Sequence, residues 1–248
     1  MKKIIVSIGL IALNYWLISC RSKEANNKNT LTITIENVFA NQPLALQTPY
    51  TTLLGEKIRF TRLQYYLSNV KLKKDGIVVW AEPESYHIIQ IQPQKSHLYT
   101  FQLANISQTD FDAIEFSVGI DSVRNSSGMQ TGALDPLYGM FWTWSTGYIF
   151  MRVEGFFVPT SPPEKAFVYH LGSNQAYRTI QLKLPRTMPK TNNQITIKAD
   201  FQRFFGGFAG ASTNLTMPTQ DNSVSIMAGE LIPKIANNYA QMFELKHN

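Results

Sequence analysis

Residues 70–80 read VKLKKDGIVVW, and this stretch decides the fold class. Val70 to Leu72 and Ile77 to Trp80 are short strand-forming runs, and between them Lys73-Lys74-Asp75-Gly76 supplies the Asp-Gly pair whose positive φ values a tight hairpin turn requires. Upstream, Thr30 to Ile35 alternates strictly. Leu31, Ile33 and Ile35 fall on one face and threonines on the other, the period-two signature of a half-buried strand. Downstream, the same signature predicts strands over Tyr86 to Ile91, Leu98 to Leu103, Ile114 to Val118, Tyr148 to Val153, Ala166 to Leu171, Thr179 to Leu184 and Gln194 to Phe201, separated by Gly, Pro, Asn and Ser clusters. Many short strands at such spacing predict a mainly β, single-domain antiparallel sandwich, Greek-key-like. One late short helix is expected, over Leu231 to Phe243, where Ile235, Tyr239 and Met242 or Phe243 recur at helical spacing and Pro233 falls in the first turn.

The chain has 248 residues and one cysteine, so it can bury a sizeable core but cannot close an internal disulfide, and one thiolate cannot build a zinc ribbon or an iron–sulfur site. Its 23 Lys and Arg against 17 Asp and Glu are too dispersed to argue for nucleic acid. The N-terminus reads as an export signal. Lys2 and Lys3 precede an apolar run from Ile4 to Ile18 that is short for a bilayer crossing, and the run ends in Leu17-Ile18-Ser19-Cys20. That ending resembles a bacterial lipobox, which makes the only cysteine, Cys20, the lipidation site. Residues 1–19 are then a signal peptide, 20–30 a polar lipidated tether, and 31–248 one β domain. The expected location is the cell envelope, anchored to a membrane and facing the periplasm or the outside.

Chemistry-bearing residues are sparse. There is no Gly-rich phosphate loop, no H-E-x-x-H, no G-x-S-x-G and no second cysteine, so an enzyme is not expected. Residues 118–155 stand apart, concentrating Asp121, Arg124, Asn125 and Asp135 with Trp142, Trp144 and Tyr148, as a loop-rich site on a rigid scaffold would. Asp121, Asn125 and Asp135 suit either turn chemistry or a hard cation, without matching the spacing of a calcium loop. Arg124, Arg152 and Glu154 read as ion-pair partners flanking that loop. Trp142 and Trp144 lie two apart and share a face if extended, either packed in the core or offered as a stacking platform for a sugar. His87 and His170 each fall in a predicted strand, where an imidazole is either a hydrogen-bonded strand residue or a ligand for an ion such as copper. His97, in a polar loop, and His247, beside the C-terminus, are weaker candidates.

The stretch GIDSVRNSSGMQTGALDPLYGMFWTWSTGYIFMRVEG, followed by FVYHLGS, resembles the MbnP-like family of exported copper-binding proteins. The agreement extends to RLQYYLSNVKLKKDGIVVW, SYHII, IKADFQRFF and IANNYAQMF, and so spans nearly all of the β domain. The resemblance implies one copper ion held by histidines and by a kynurenine made from a tryptophan, with a separate di-haem protein of the cytochrome peroxidase type performing the oxidation. Carried onto this chain, the tryptophan is Trp142 or Trp144, His170 is one ligand and His87 the second. Opening the indole exposes an amine and a carbonyl, whereas an intact indole offers only an N–H and cannot ligate. A glycan-binding module and a purely structural lipoprotein are the alternatives to a copper carrier.

Overall fold

In the computed structural model, which describes residues 30–93, 97–106, 110–142, 147–160, 163–185, 193–218 and 223–246, the hairpin read from the sequence is the end of a much longer element. In chain order the strands are β1 (Leu31–Phe39), β2 (Gln42–Pro43), β3 (Pro49–Thr51), β4 (Lys57–Lys74), β5 (Ile77–Ala81), β6 (Tyr86–Ile91), β7 (Leu98–Leu103) and β8 (Ala113–Val118). A helical turn, α1 (Ser122–Asn125), comes next. Then follow β9 (Ile149–Phe157), β10 (Lys165–Gly172), β11 (Arg178–Lys183), β12 (Gln194–Asp200), β13 (Val224–Ile226), helix α2 (Leu231–Ala240) and β14 (Phe243–Leu245). Asp75 and Gly76 sit at φ +49° and +82°, the mirror-image turn their sequence calls for.

The strands form two sheets. The smaller runs β14-β12-β1-β2 with β7 also on β1, and the larger runs β11-β8-β4-β9-β10-β13 with β3, β5 and β6 on the free side of β4. Most pairings are antiparallel, as expected of the sandwich, but β1 runs parallel to β12 and β10 parallel to β13. The 18-residue β4 is the spine of the large sheet: its first half pairs with β9 and its second with β8. The handover falls between Tyr65, the last partner of β9, and Leu67, the first of β8, and just beyond it a bulge after Ser68 puts Asn69 at a left-handed φ of +53°.

Alternation decides which side chains enter the core. Leu63, Tyr65 and Leu67 of β4, Val153 and Phe157 of β9, and Phe167, Tyr169 and Leu171 of β10 point inward, against Ile33, Ile35 and Phe39 of β1. Tilted and edge-on rings of Phe39, Phe60, Phe167 and Phe205 fill one end. A buried polar bridge joins the sheets, Tyr65 Oη donating to Asn37 Oδ1 at 2.8 Å. Helix α2 buries Ile232, Ile235, Ala236 and Tyr239, the spacing of one helical face. It stops three residues before the C-terminal bound expected from sequence, because Phe243–Leu245 leaves the helix to pair with β12. No helix among the described residues is long and apolar enough to cross a membrane.

Candidate functional site on the outer face of the large sheet

The side of the large sheet that faces away from the small one is not left to solvent. Residues 119–142, with Gly147 and Tyr148, lie over it as a second layer, held by polar chemistry. Asp121 caps α1 by accepting from Arg124 N, Asn125 Oδ1 accepts the Tyr148 amide at 2.8 Å, and Asp135 Oδ1 accepts the Leu137 amide at 2.9 Å. Asp121 and Asp135 therefore cap local turns, the reading set beside the hard-cation one in the sequence, while Asn125 reaches across the layer to a residue 23 positions on. Tyr148 is the pin: its hydroxyl accepts from Gln130 N and donates to Leu134 O at 2.9 Å, while its ring stands edge-on to Tyr66 beneath. Gly139, in the left-handed region at φ +71°, lets the chain turn directly over Arg62 and Arg152.

Beneath that turn lies a row of outward-facing polar side chains. Gln64, Arg152 and His170 stand opposite one another across β4, β9 and β10. Arg152 Nη1 donates to Gly139 O at 2.8 Å and its Nε to Glu154 Oε1 at 2.6 Å, while His170 Nε2 lies 2.7 Å from that same carboxylate oxygen. The hydrogen bond from His170, against the opposing effect of burial and with the help of Arg152, holds the Glu154 carboxyl down to about 2. An ionised carboxylate only accepts, so Nε2 of His170 carries its hydrogen and Nδ1 is the nitrogen left for any other partner. Arg62 joins the row through Gln64 Oε1 at 2.7 Å, its pKa lowered by burial and by the neighbouring Arg152 charge. The ion pairing of Arg152 with Glu154 expected from sequence is present; Arg124 pairs instead with Glu84.

Trp142 borders this row. A Cβ placed on Gly172, two residues beyond His170 on β10, would lie 2.4 Å from Trp142 Cη2 and 2.5 Å from Tyr148 O, so the indole rests on the glycine where no side chain intervenes. The indole nitrogen is buried. Trp142 is thus a packed ring rather than an open stacking surface. Trp144 lies outside the described residues, as do Cys20 and His247.

His87 is elsewhere. It stands opposite Leu67, and His170 reaches β4 at Gln64, through Arg152. Positions 64 and 67 are an odd number of residues apart in an uninterrupted stretch of register, so the two imidazoles project from opposite faces of the sheet. Three strand spacings and three residues separate their backbones by about 17 Å. His87 points inward, its ring 3.9 Å from that of Phe101 and its Nε2 2.9 Å from Glu82 Oε2. The structure therefore seats Trp142 on β10 two residues from His170 and places His87 on the other face of the sheet. Among the described residues no group of three or more His, Cys, Asp or Glu side chains converges as a metal site. A copper ion held by both imidazoles does not fit this arrangement. The sequence reading missed Arg62, Gln64, Glu82, Glu84, Tyr86 and Gly172; the alternation Arg62-Leu63-Gln64-Tyr65 carried a trace of the outward row, but nothing in a single strand announces its neighbours.

The family model MbnP matches residues 28–228. A solved structure described as MbnP from Methylosinus trichosporium is similar to the chain at 14% identity, covering 71% of this chain and 77% of that one with a TM-score of 0.48. No curated protein matches the sequence.

Proposed function

The chain belongs to the MbnP family, and from that premise we propose that it is an exported copper-associated protein of the cell envelope, tethered through Cys20, and not itself a catalyst. The observation that carries the placement of its working site is Trp142 seated on Gly172, two residues from His170, under the loop layer of the large sheet. His170 is the imidazole of that site, presenting Nδ1, with Glu154 and Arg152 fixing the ring through Nε2 as outer partners of ligating histidines commonly do. Trp142 or Trp144 is the tryptophan that a separate di-haem peroxidase-like protein would convert to kynurenine. If bound, copper would gain a thiol-free site of nitrogen and oxygen donors there. His87, packed on Phe101 and tied to Glu82, supports the interior instead.

The test is copper titration of protein purified from its own host, followed by competition against a chelator, for wild type, His170→Ala and His87→Ala. The expected result is stoichiometric binding in wild type and in His87→Ala and its loss in His170→Ala. Intact mass then reports whether a tryptophan has gained an oxygen and lost a carbon. Equal loss in both variants would overturn the placement, and a wild type that neither binds copper nor carries the mass change would overturn the copper reading itself.

A further inference from the structure

A cleft of about 420 Å³ opens on the same outer face, at the far side from His170. Glu84 and Tyr86 at the start of β6 form one wall, Arg124 of α1 another, and Gln130 with Thr131 to Leu134 the third. The volume is within the usual range for small-molecule sites. None of these residues takes part in the His170 row, and nothing in the copper reading uses them.

The cleft is built. Arg124 is held at three points: its Nη1 donates to Gln130 Oε1 at 3.0 Å, its carbonyl accepts from Gln130 Nε2 at 2.8 Å, and its backbone N–H caps onto Asp121. Its guanidinium carbon lies 5.8 Å from the centre of the Tyr86 ring, and the Tyr86 hydroxyl donates to Asp121. Opposite stands Glu84, a non-glycine residue in the left-handed region at φ +47°, a conformation that costs energy and clusters where function demands it. The strained turn, closed by Tyr86 N to Glu84 O at 2.9 Å, aims the carboxylate at Arg124, and the two pair across the mouth. The apolar part of the lining is Ala133 and Leu134.

A cation held by its own hydrogen bonds and an anion facing it over an aromatic wall, with Ala133 and Leu134 in the lining, complement a molecule carrying both charges and an apolar group. We infer that this cleft binds a small zwitterion of the amino acid or short peptide class. Its carboxylate takes Arg124, whose fork favours bidentate contact, its ammonium takes Glu84, and its apolar side chain lies against Tyr86 and the Ala133–Leu134 wall. The solvent-exposed Arg124–Glu84 pair contributes little to stability, so a ligand displaces it at small cost.

The experiment uses leucyl-leucine with both termini free, its N-acetyl derivative and its C-terminal amide, titrated calorimetrically into wild type, Arg124→Gln and Glu84→Gln. Saturable binding of the free dipeptide is expected, weakened about tenfold or more by capping either end, since each cap removes a charged hydrogen-bond partner. Arg124→Gln should erase the penalty of amidation and Glu84→Gln that of acetylation. Both substitutions lie on the surface, and thermal unfolding reports whether the folded state is kept; if Arg124→Gln does not fold, the Glu84→Gln arm alone decides. No saturable binding of the dipeptide, or binding indifferent to capping or to both substitutions, would overturn the inference. Copper titration of the same variants is unaffected if the two sites are distinct.

Discussion

Gly172→Ala tests the seat of Trp142 directly. The added methyl would arrive 2.4 Å from Trp142 Cη2, 2.7 Å from its Cζ3 and 2.5 Å from the Tyr148 carbonyl oxygen, where ordinary contact needs about 3.5–4.0 Å. Gly172 does not occupy the left-handed region, so the penalty is steric and not conformational. Tyr148 cannot yield, because its amide is held by Asn125 and its hydroxyl by Leu134, and the neighbouring Ile149 amide is bonded to Met140 O. The indole must therefore move by more than 1 Å, or the bulge at Leu171/Gly172 must open. Overpacking of this kind costs about 1–3 kcal/mol. In a domain of this size that is roughly 2–12 °C in Tm. The assay is thermal unfolding with near-ultraviolet circular dichroism, which senses the asymmetry around the indole. Repeating the substitution on Trp142→Leu should recover part of the loss and leave the part owed to Tyr148 O, a coupling that a double-mutant cycle isolates. An unchanged Tm with an unchanged indole signal would refute the packing, and with it the proximity of Trp142 to His170.

Three further outcomes follow from buried polar atoms and from the outward row. Tyr65→Phe leaves Asn37 Oδ1 buried without its donor and should cost about 1–3 kcal/mol in urea unfolding, whereas Tyr239→Phe, whose buried hydroxyl finds no hydrogen-bond partner among the described residues, should be neutral or stabilising. Glu154 is held at about 2, below the ordinary carboxylate value of 4.5, so its contribution is complete above pH 4.5 and is lost as pH falls toward 2; Glu154→Gln should be less stable than wild type at neutral pH, with a difference that shrinks across that window in acid-unfolding curves.

The strands were legible because each is a local pattern. The bounds Tyr86–Ile91 and Leu98–Leu103 coincide with those read from alternation alone, and the assignment of Phe167, Tyr169 and Leu171 to one face of β10 and His170 to the other holds in the structure. The full reach of β4 was not legible. From Leu63 to Ser68 every residue is buried, because the loop layer covers one face and the small sheet the other, and a strand covered on both faces shows no alternation to read. The parallel pairing of β1 with β12 joins residues about 160 positions apart, and no feature of either strand encodes its partner.

The fate of His87 shows where the site reading ran out. Two strand histidines near tyrosines look equivalent in sequence, and each does lie within hydrogen-bonding distance of a glutamate, His87 of Glu82 and His170 of Glu154. What separates them is parity: a shift of one residue in the β4–β6 register would move His87 to the outer face that Tyr86 now occupies, but would also expel Ile89 and Ile91 from the core. Burying those two isoleucines is worth roughly 1.5–3 kcal/mol each. That exceeds anything one imidazole at an outer site could return before a metal arrives, so the register is set by the apolar residues and the histidine goes where they send it. His170 meets the opposite circumstance, since Phe167, Tyr169 and Leu171 can fill the interior only if His170 faces out, beneath the loop that carries Trp142. Which histidines reach the proposed site is thus a by-product of core packing, and a histidine at position 88 or 90 rather than 87 would face the side of the sheet on which His170 stands.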